Sequence, residues 1–331
     1  MTDILWQGHE ADAYVIANSN NTEDVTAISA PYERAGMRAG KSASGSLKST
    51  PDWPARDEIW HRFNHNNGGG GYSAGEIFWA AENAAGTQVA RIVQASSTTA
   101  QYQVSDGAGA WINVGAAFLL QGSNLTTRFD IHHKGGGAGQ VEVWYGTPGA
   151  QTKVVDETGS YASAVSIVRI FHGPESTAGG FWTTVAFEIV QTTSTLSSTS
   201  EIKPPTSNGA DVDGTGTYAD VDEQVYSDVD FITLSAAGER QSFKAAARTQ
   251  SQTVVTGVTA SCRAWYEAGG PTHLKPYLTI AGVRYYGTTF ALDLVARGYQ
   301  YTWGTNPATG VAFTAAEANA ATLEWGWEAV A

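Results

Sequence analysis

Asp211, Asp213, Asp220 and Asp222 form the densest set of hard oxygen ligands in this sequence. Asp211-Val212-Asp213-Gly214 opens like a Ca2+ loop, in which alternate carboxylates precede a turn glycine. A full helix-flanked loop needs an oxygen ligand at its fifth position and Glu at its twelfth; Thr215 and Asp222 stand there, with no flanking helical pattern. The metal expectation is therefore a looser Ca2+ site at Asp211, Asp213, Asp220 and Asp222. The plainer alternative is an acidic strand that discourages edge-to-edge pairing. The same residues raise catalysis. Retaining glycosidases need two carboxyls ~5 Å apart. Asp220 with Asp222, or Asp228 with Asp230, would share a strand face, but both pairs fall in the second half of the chain. No strand of the first half shows two acids on one face. There is no Gly-x-Ser-x-Gly elbow, and Cys262 in "VTASCRAWYE" has no histidine beside it. Cys262 reads as a small buried apolar residue. No catalytic residue is assigned, and the chain is expected not to be an enzyme.

The histidines lack metal-binding grammar. His61 and His65 flank "RFN", His132 and His133 point to opposite strand faces, and neither His-Glu-x-x-His nor Cys-x-x-Cys occurs. The glycine runs Gly68–Gly71 and Gly135–Gly137 are not followed by Lys-Ser/Thr and open no helix, so they are turns and not phosphate cradles. Aromatics remain. Trp144 and Tyr145 are adjacent, so one of them faces outward; Tyr72 and Trp111 sit beside glycine-rich turns. Sugar rings stack on such side chains, and loops at a sandwich rim commonly bind ligands. Tyr72, Trp111, Trp144 and Tyr145 are the ligand-binding candidates, with a subunit contact as the competing role.

The elements that must carry these residues are strands. Period-two alternation recurs: Ile77, Trp79 and Ala81 on one face of "GEIFWAAE", Val185, Phe187 and Ile189 in "TVAFEIV", and Phe290, Leu292, Leu294 and Ala296 in "TTFALDLVARG". Gly-rich turns such as "SDGAGAW" separate short strands, the pattern of sandwiches and jelly rolls. "PYLTIAGVRYYG" reads as a hairpin on Ala281-Gly282. The Ser/Thr-rich run 192–210 with Pro204-Pro205 is the expected linker, dividing a domain of roughly twelve strands at 1–191 from one of about eight at 211–331. Near the end, Thr314-Ala315-Ala316-Glu317 fits a capping box for a short helix. Alternation then resumes, with Leu323, Trp325, Trp327 and Ala329 on one face.

Only 15% of the 331 residues are charged, against a net charge of −13. The acidic balance disfavours nucleic-acid partners. No apolar run approaches the ~20 residues of a membrane helix, so no membrane insertion is expected. One cysteine allows no internal disulfide, and the N-terminal residues show no signal-peptide pattern, which leads us to expect synthesis in the cytosol.

The terminal segment, with its "NPATG" turn, "FTAAEANA" helix and "EWGWEAV" strand, resembles the ends of structural proteins of tailed bacteriophages and related gene-transfer particles. "YADVDEQVYSDVDFITLSAAGERQSFKAA" resembles their second domain, and Phe313 stands where tryptophan is expected. "DEIWHRFNH", "GEIFWAAENAAGTQVARI", "RFDIHHKGGGAGQVEVWYG" and "SIVRIFHG" are similar to the concanavalin-like (laminin-G-like) jelly roll that precedes it. The resemblance implies an all-β chain: an N-terminal concanavalin-like jelly roll, then a smaller C-terminal β-sandwich with one short helix near the end. It further implies a virion subunit without enzymatic activity, such as a tail fibre, tail tip, spike or decoration protein. Such a subunit is made in the host cytoplasm and assembles with other virion subunits and with itself as a homo-oligomer such as a trimer. Its outward partner would be a host-surface glycan. No cofactor is called for beyond the Ca2+ considered above. A free carbohydrate-binding, lectin-like module is the alternative, and a polysaccharide-degrading enzyme the third reading.

Overall fold

The computed structural model describes residues 4–8, 15–16, 21–24, 39–42, 48–50, 52–67, 74–120, 126–147, 149–161, 166–172, 183–196, 203–222, 229–247 and 254–331. The chain is all-β, with one short helix near its end. It divides into two compact units, residues 5–198 in one and residues 1–4 with 199–331 in the other.

The first unit contains β1 (Ile4–Gly8), β2 (Val15–Ile16), β3 (Asn21–Asp24), β4 (Ala39–Ser42), β5 (Lys48–Ser49), β6 (Glu58–Asn67), β7 (Ile77–Glu82), β8 (Gln88–Ser96), β9 (Thr99–Ser105), β10 (Trp111–Leu119), β11 (Thr126–Lys134), β12 (Gly139–Gly146), β13 (Thr152–Gly159), β14 (Arg169–His172) and β15 (Thr183–Gln191). An eight-stranded sheet runs β13-β12-β11-β6-β15-β4-β3, with β1 also on β15. A seven-stranded sheet runs β10-β9-β8-β7-β14-β5-β2.

Alternation sorts the side chains of these strands into two layers. From the large sheet, Ile59 and Phe63 of β6, Phe129 and Ile131 of β11, and Val141, Val143 and Tyr145 of β12 enter the core. There they meet Trp79, Ile92, Tyr102 and Val104 of the second sheet. Phe63 and Phe129, directly opposite in register, stack at 5.0 Å. Three histidines, His61, His133 and His172, are buried with the apolar side chains. The Trp79 indole N–H donates to His61 Nδ1 at 2.7 Å, and the Tyr102 hydroxyl pairs with His133 Nδ1 at 2.9 Å.

Two expectations for this unit change. Ile77 does not share a face with Trp79 and Ala81. The β7–β8 register shifts between Ile77 and Trp79, and this bulge turns Ile77 to the outer side, where it packs with Ala80, Val93 and Phe171. The β15–β6 register likewise shifts between Ala186 and Glu188; the side chains of Val185, Phe187 and Ile189 lie outside the described residues. Fifteen strands stand among the described residues where about twelve were expected, and two of them, β2 and β5, are only two residues long.

The second unit contains β16 (Pro205–Val212), β17 (Arg240–Ala245), β18 (Val254–Val255), β19 (Val258–Ala264), β20 (His273–Ile280), β21 (Val283–Tyr286), β22 (Phe290–Ala291), β23 (Arg297–Trp303), β24 (Phe313–Thr314), α1 (Ala315–Ala318) and β25 (Glu324–Val330). A six-stranded sheet runs β16-β17-β25-β20-β21, with β22 also on β20. β18–β24 and β19–β23 form separate pairs. Since β16 occupies residues 205–212, the expected linker at 192–210 is corrected. Its second half pairs with β17, which a Ser/Thr-rich, proline-bearing composition conceals at a sheet edge. The hairpin on Ala281-Gly282 forms as expected, both residues having positive φ (50° and 82°), as a tight two-residue turn requires. "TTFALDLVARG" is not one strand. Pairing stops at Ala291, Phe290 and Leu292 pack on the core, and Leu294 sits in an exposed bend.

Thr314 and Glu317 form the reciprocal capping box, and the helix lasts one turn. In β25, Trp325 and Trp327 face the core with Leu274, Leu278, Trp303 and Phe313. The glycine between the tryptophans has a steric cause. A Cβ on Gly326 would lie 2.6 Å from Tyr277 Cζ, because the tyrosine ring lies across that strand. Its hydroxyl donates to Asp211 Oδ2 at 2.9 Å.

Two predictions follow from this packing. Gly326→Ala should lower stability by ~1–3 kcal/mol through overpacking, read as a lower urea midpoint. In the first unit, burial pushes His133 down to about 4. The stability gained by keeping it neutral is complete above the unfolded value of ~6.5 and is lost as pH falls toward 4, about 3 kcal/mol in all. Urea melts between pH 7 and 4 should show that loss, and His133→Gln should flatten it.

Candidate functional site

Strand alternation also builds the outer face of the large sheet, away from the core. Cross-strand pairing lines up two rows there. The first runs Gln191 (β15), Trp60 (β6), His132 (β11), Glu142 (β12) and Asp156 (β13); the second runs Arg62 (β6), Asp130 (β11), Trp144 (β12) and Lys153 (β13). These side chains contribute nothing to the sandwich interior, yet Arg62 and Asp130 are wholly buried and His132 is 5% exposed.

The chemistry of the first row centres on His132. Its imidazole lies flat on the Trp60 indole, with centroids 4.4 Å apart and planes 6° apart. Nε2 meets Glu58 Oε1 at 2.9 Å, and Nδ1 stands 3.5 Å from Glu142 Oε2. Glu142 is also held by Lys153 at 2.5 Å, and Lys153 reaches Asp156 at 3.1 Å. The hydrogen bond to Glu142 keeps the lysine protonated beyond its ordinary range. The Lys153 ammonium lies 5.1 Å over the Trp144 ring.

The other end of the face is roofed by the chain after β15. Arg128 grips Asp130 through two hydrogen bonds of 2.7 and 2.8 Å and donates to the Thr195 carbonyl at 2.8 Å. The Thr195 hydroxyl closes the ring on Asp130 Oδ1 at 2.6 Å. Such bidentate, charge-assisted contacts fix both side chains. Among the buried polar atoms of this face, His132 Nδ1, Trp144 Nε1 and Gln191 Oε1 have no hydrogen-bond partner among the described residues. Buried polar atoms are normally satisfied, so these atoms mark a hydrogen-bond set left incomplete beside two tryptophans.

The expected site residues do not converge. Trp144 lies on this face, half-buried. Tyr145 points the other way, into the core, 4.4 Å from Phe129, so its ring is unavailable to a ligand. Trp111 is on the outer side of the opposite sheet, with the Arg91 guanidinium 3.8 Å over its ring. Tyr72 lies outside the described residues. Asp220 and Asp222 do not share a strand face, and Asp228 lies outside the described residues. Residues 218–220 form a 3-10 turn in which Asp220 accepts from the Thr217 amide at 2.7 Å, and Asp222 is exposed. Asp213 accepts from the Arg240 amide. Asp211 is held by two nitrogens of Arg284 and by the Tyr277 hydroxyl, and the Arg284 bonds keep its carboxyl below the usual range. A carboxylate committed to a guanidinium has little to offer Ca2+. Among the described residues, no three His, Cys, Asp or Glu side chains group as metal ligands. Cys262 is half-buried, and burial pushes its thiol up, away from the reactive thiolate.

Sequence reasoning missed Trp60, Arg62, Asp130, His132 and Glu142. One signal was present. In "EIWHRFN" bulky residues occupy both parities, Ile59 and Phe63 on one and Trp60 on the other, so neither face of that strand is simply wet.

No family model matches the chain, and no curated protein matches it. Among solved structures, it is similar to an endo-β-1,4-glucuronan lyase from the fungus Trichoderma reesei (13% identity, TM-score 0.44, covering 58% of this chain and 96% of that one). It is also similar to a cellulose-induced protein (14%, 0.43, 58% and 97%). A third likeness is to domain 4 of an extracellular arabinanase from Geobacillus stearothermophilus (10%, 0.41, 58% and 94%). The likeness is one of β-sandwich architecture, and nothing about activity follows from it.

The acidic stretch yields a prediction. Saturating Ca2+ or a chelator should leave the melting temperature within about 1 °C, since binding that favours the folded state would raise it. Asp211→Asn, by leaving Arg284 without its anion, should cost about 2 kcal/mol in urea melts.

Proposed function

We propose that this chain is a carbohydrate-contact protein that binds a glycan without transforming it, using the outer face of its eight-stranded sheet. The observation that carries this reading is the pair of cross-strand rows. They set Trp60, His132 and Trp144 among polar groups on the face turned away from the sandwich core, with His132 Nδ1, Trp144 Nε1 and Gln191 Oε1 lacking a hydrogen-bond partner among the described residues. Aromatic surface takes the apolar side of a sugar ring, and fixed donors and acceptors take its hydroxyls. A contact role fits the state of the acids. Glu58 is bridged by His132 and Lys134, Asp130 by Arg128, and Glu142 and Asp156 by Lys153. A carboxylate committed to a neighbouring cation is held in place by charge-assisted contacts.

A second reading, a particle-surface subunit that self-assembles, is favoured by a different observation. The second unit exposes Leu294 (61%), Val295 (55%) and Val311 (60%), apolar side chains suited to a subunit contact. Light scattering that gave only monomers at high concentration would count against it.

The binding reading is tested by affinity electrophoresis through gels containing mixed-linkage β-glucan, xylan, arabinan or alginate. At least one polysaccharide should retard the protein, and Trp144→Ala should weaken that retardation at unchanged melting temperature. No reducing ends should appear on prolonged incubation. Unretarded migration in every gel, or steady release of reducing sugar, would overturn the proposal.

A further inference from the structure

The opposite side of the same sandwich carries a second polar and aromatic platform. On the outer face of the seven-stranded sheet, Arg91 of β8 is paired with Gln103 of β9, and Gln103 with Asn113 of β10. Their side chains bond in a line: Arg91 Nε donates to Gln103 Oε1 at 2.8 Å, and Gln103 Nε2 donates to Asn113 Oδ1 at 2.8 Å. The direction of this line is fixed by chemistry. Arginine has donors only, so Gln103 must turn its oxygen toward Arg91 and its nitrogen toward Asn113. Asn113 must then accept, which leaves its own amide nitrogen as the outward end of the chain. Hydrogen bonds in series polarise one another, so a guanidinium at one end makes the exposed amide at the other a better donor.

Trp111 flanks this row. It enters two residues before Asn113, and its ring reaches back to the Arg91 guanidinium at 3.8 Å, which fixes the indole plane while part of the side chain stays in solvent. The hairpin that delivers it is rigid, because the Asp106 carboxylate accepts from the Ala108 and Ala110 amides at 2.7 and 2.8 Å. The row itself contains no carboxylate, and its outward terminus is a neutral amide donor.

We infer that Trp111, Arg91, Gln103 and Asn113 form a second saccharide-binding platform, selective for neutral sugars. One sandwich would then hold a glycan on each side and bridge two chains. The neutral class follows from two features: the terminal amide donates to a hydroxyl or ring oxygen, and Asp106 at the hairpin tip repels an acidic sugar. The inference deepens the glycan-contact reading and rests on it for the ligand class, but it uses different residues on a different sheet.

Calorimetric titration of the whole chain with hexasaccharides of β-1,4-glucan, β-1,4-xylan, α-1,5-arabinan and alginate separates the two. Asn113→Asp is the sharpest variant, since it keeps an acceptor for Gln103 and removes the outward donor. Trp111→Ala and Asn113→Asp should each weaken binding of a neutral hexasaccharide tenfold or more, with unchanged melting temperature. Trp144→Ala should leave that event intact and remove a separate one. If Trp144→Ala abolishes all binding while the Trp111 and Asn113 variants bind as the wild type does, the second platform is overturned and the first site stands. If the Trp111 and Asn113 variants lose everything and Trp144→Ala loses nothing, the platform stands and the site on the large sheet falls. Binding of alginate alone, or of no hexasaccharide, overturns the inference.

Discussion

The register between β6 and β11 decides both what fills the interior of the first unit and what its largest surface offers. A slip of one residue would exchange the two faces of either strand, driving Arg62 or Asp130 into the core and pushing Phe63 or Phe129 out. The register is pinned from both sides. Phe63 stacks on Phe129 inside, at 5.0 Å, and Trp60 stacks on His132 outside, at 4.4 Å; both are directly opposed pairs. Each such pair is worth roughly 0.2–1 kcal/mol, but a slipped strand would lose both together and bury unpaired charge as well. Structure and site therefore share one determinant.

That coupling bears on the charges themselves. Ion pairs taken out of water recover little of their desolvation cost, so they are weak evidence of stabilisation. This chain is poor in charge, yet it gathers Glu58, Arg62, Arg128, Asp130, Lys134, Glu142, Lys153 and Asp156 on one sheet face. A face whose only task was solubility would expose these groups singly. Here Asp130 and Arg62 are wholly buried, and the Thr195 region closes over the Arg128–Asp130 pair. Holding side chains in fixed poses outside the core has a use when something else must meet them.

Much of the fold was legible because its signals are local. The Ala281-Gly282 hairpin, the Thr314–Glu317 box and the alternation of Trp325 with Trp327 each depend on residues within one turn or one strand. The bulge at β7 and the strand hidden in the Ser/Thr-rich run were not legible, because each is decided by the neighbouring strand. The site was the least legible part. Glu58 lies 74 residues from His132, and no spacing rule connects them. Looking for two acids on one strand could not find a histidine clasped by acids from the strands on either side. Trp144 was visible as an aromatic, but which of Trp144 and Tyr145 faces outward depends on pairing with β11.

The contrast between Asp211 and His132 shows how a buried polar group becomes structure or site. In sequence, Asp211 looked like a ligand to a metal and His132 like an ordinary strand residue. Tertiary structure reverses the two. Asp211 meets a guanidinium from β21 and a phenol from β20, and the phenol reaches it only because Gly326 leaves room across β25. Its acceptor capacity is spent within the unit, and the small residue between the tryptophans is the trace of that closure. His132 is clasped at Nε2 and stacked on Trp60, but its Nδ1 stops 3.5 Å from Glu142 and makes no hydrogen bond among the described residues. A donor–acceptor set that closes on itself stabilises a fold; one held in place but left open keeps an unsatisfied demand that a bound molecule can meet. The open set lies on the large sheet of the first unit, on the face proposed for glycan contact.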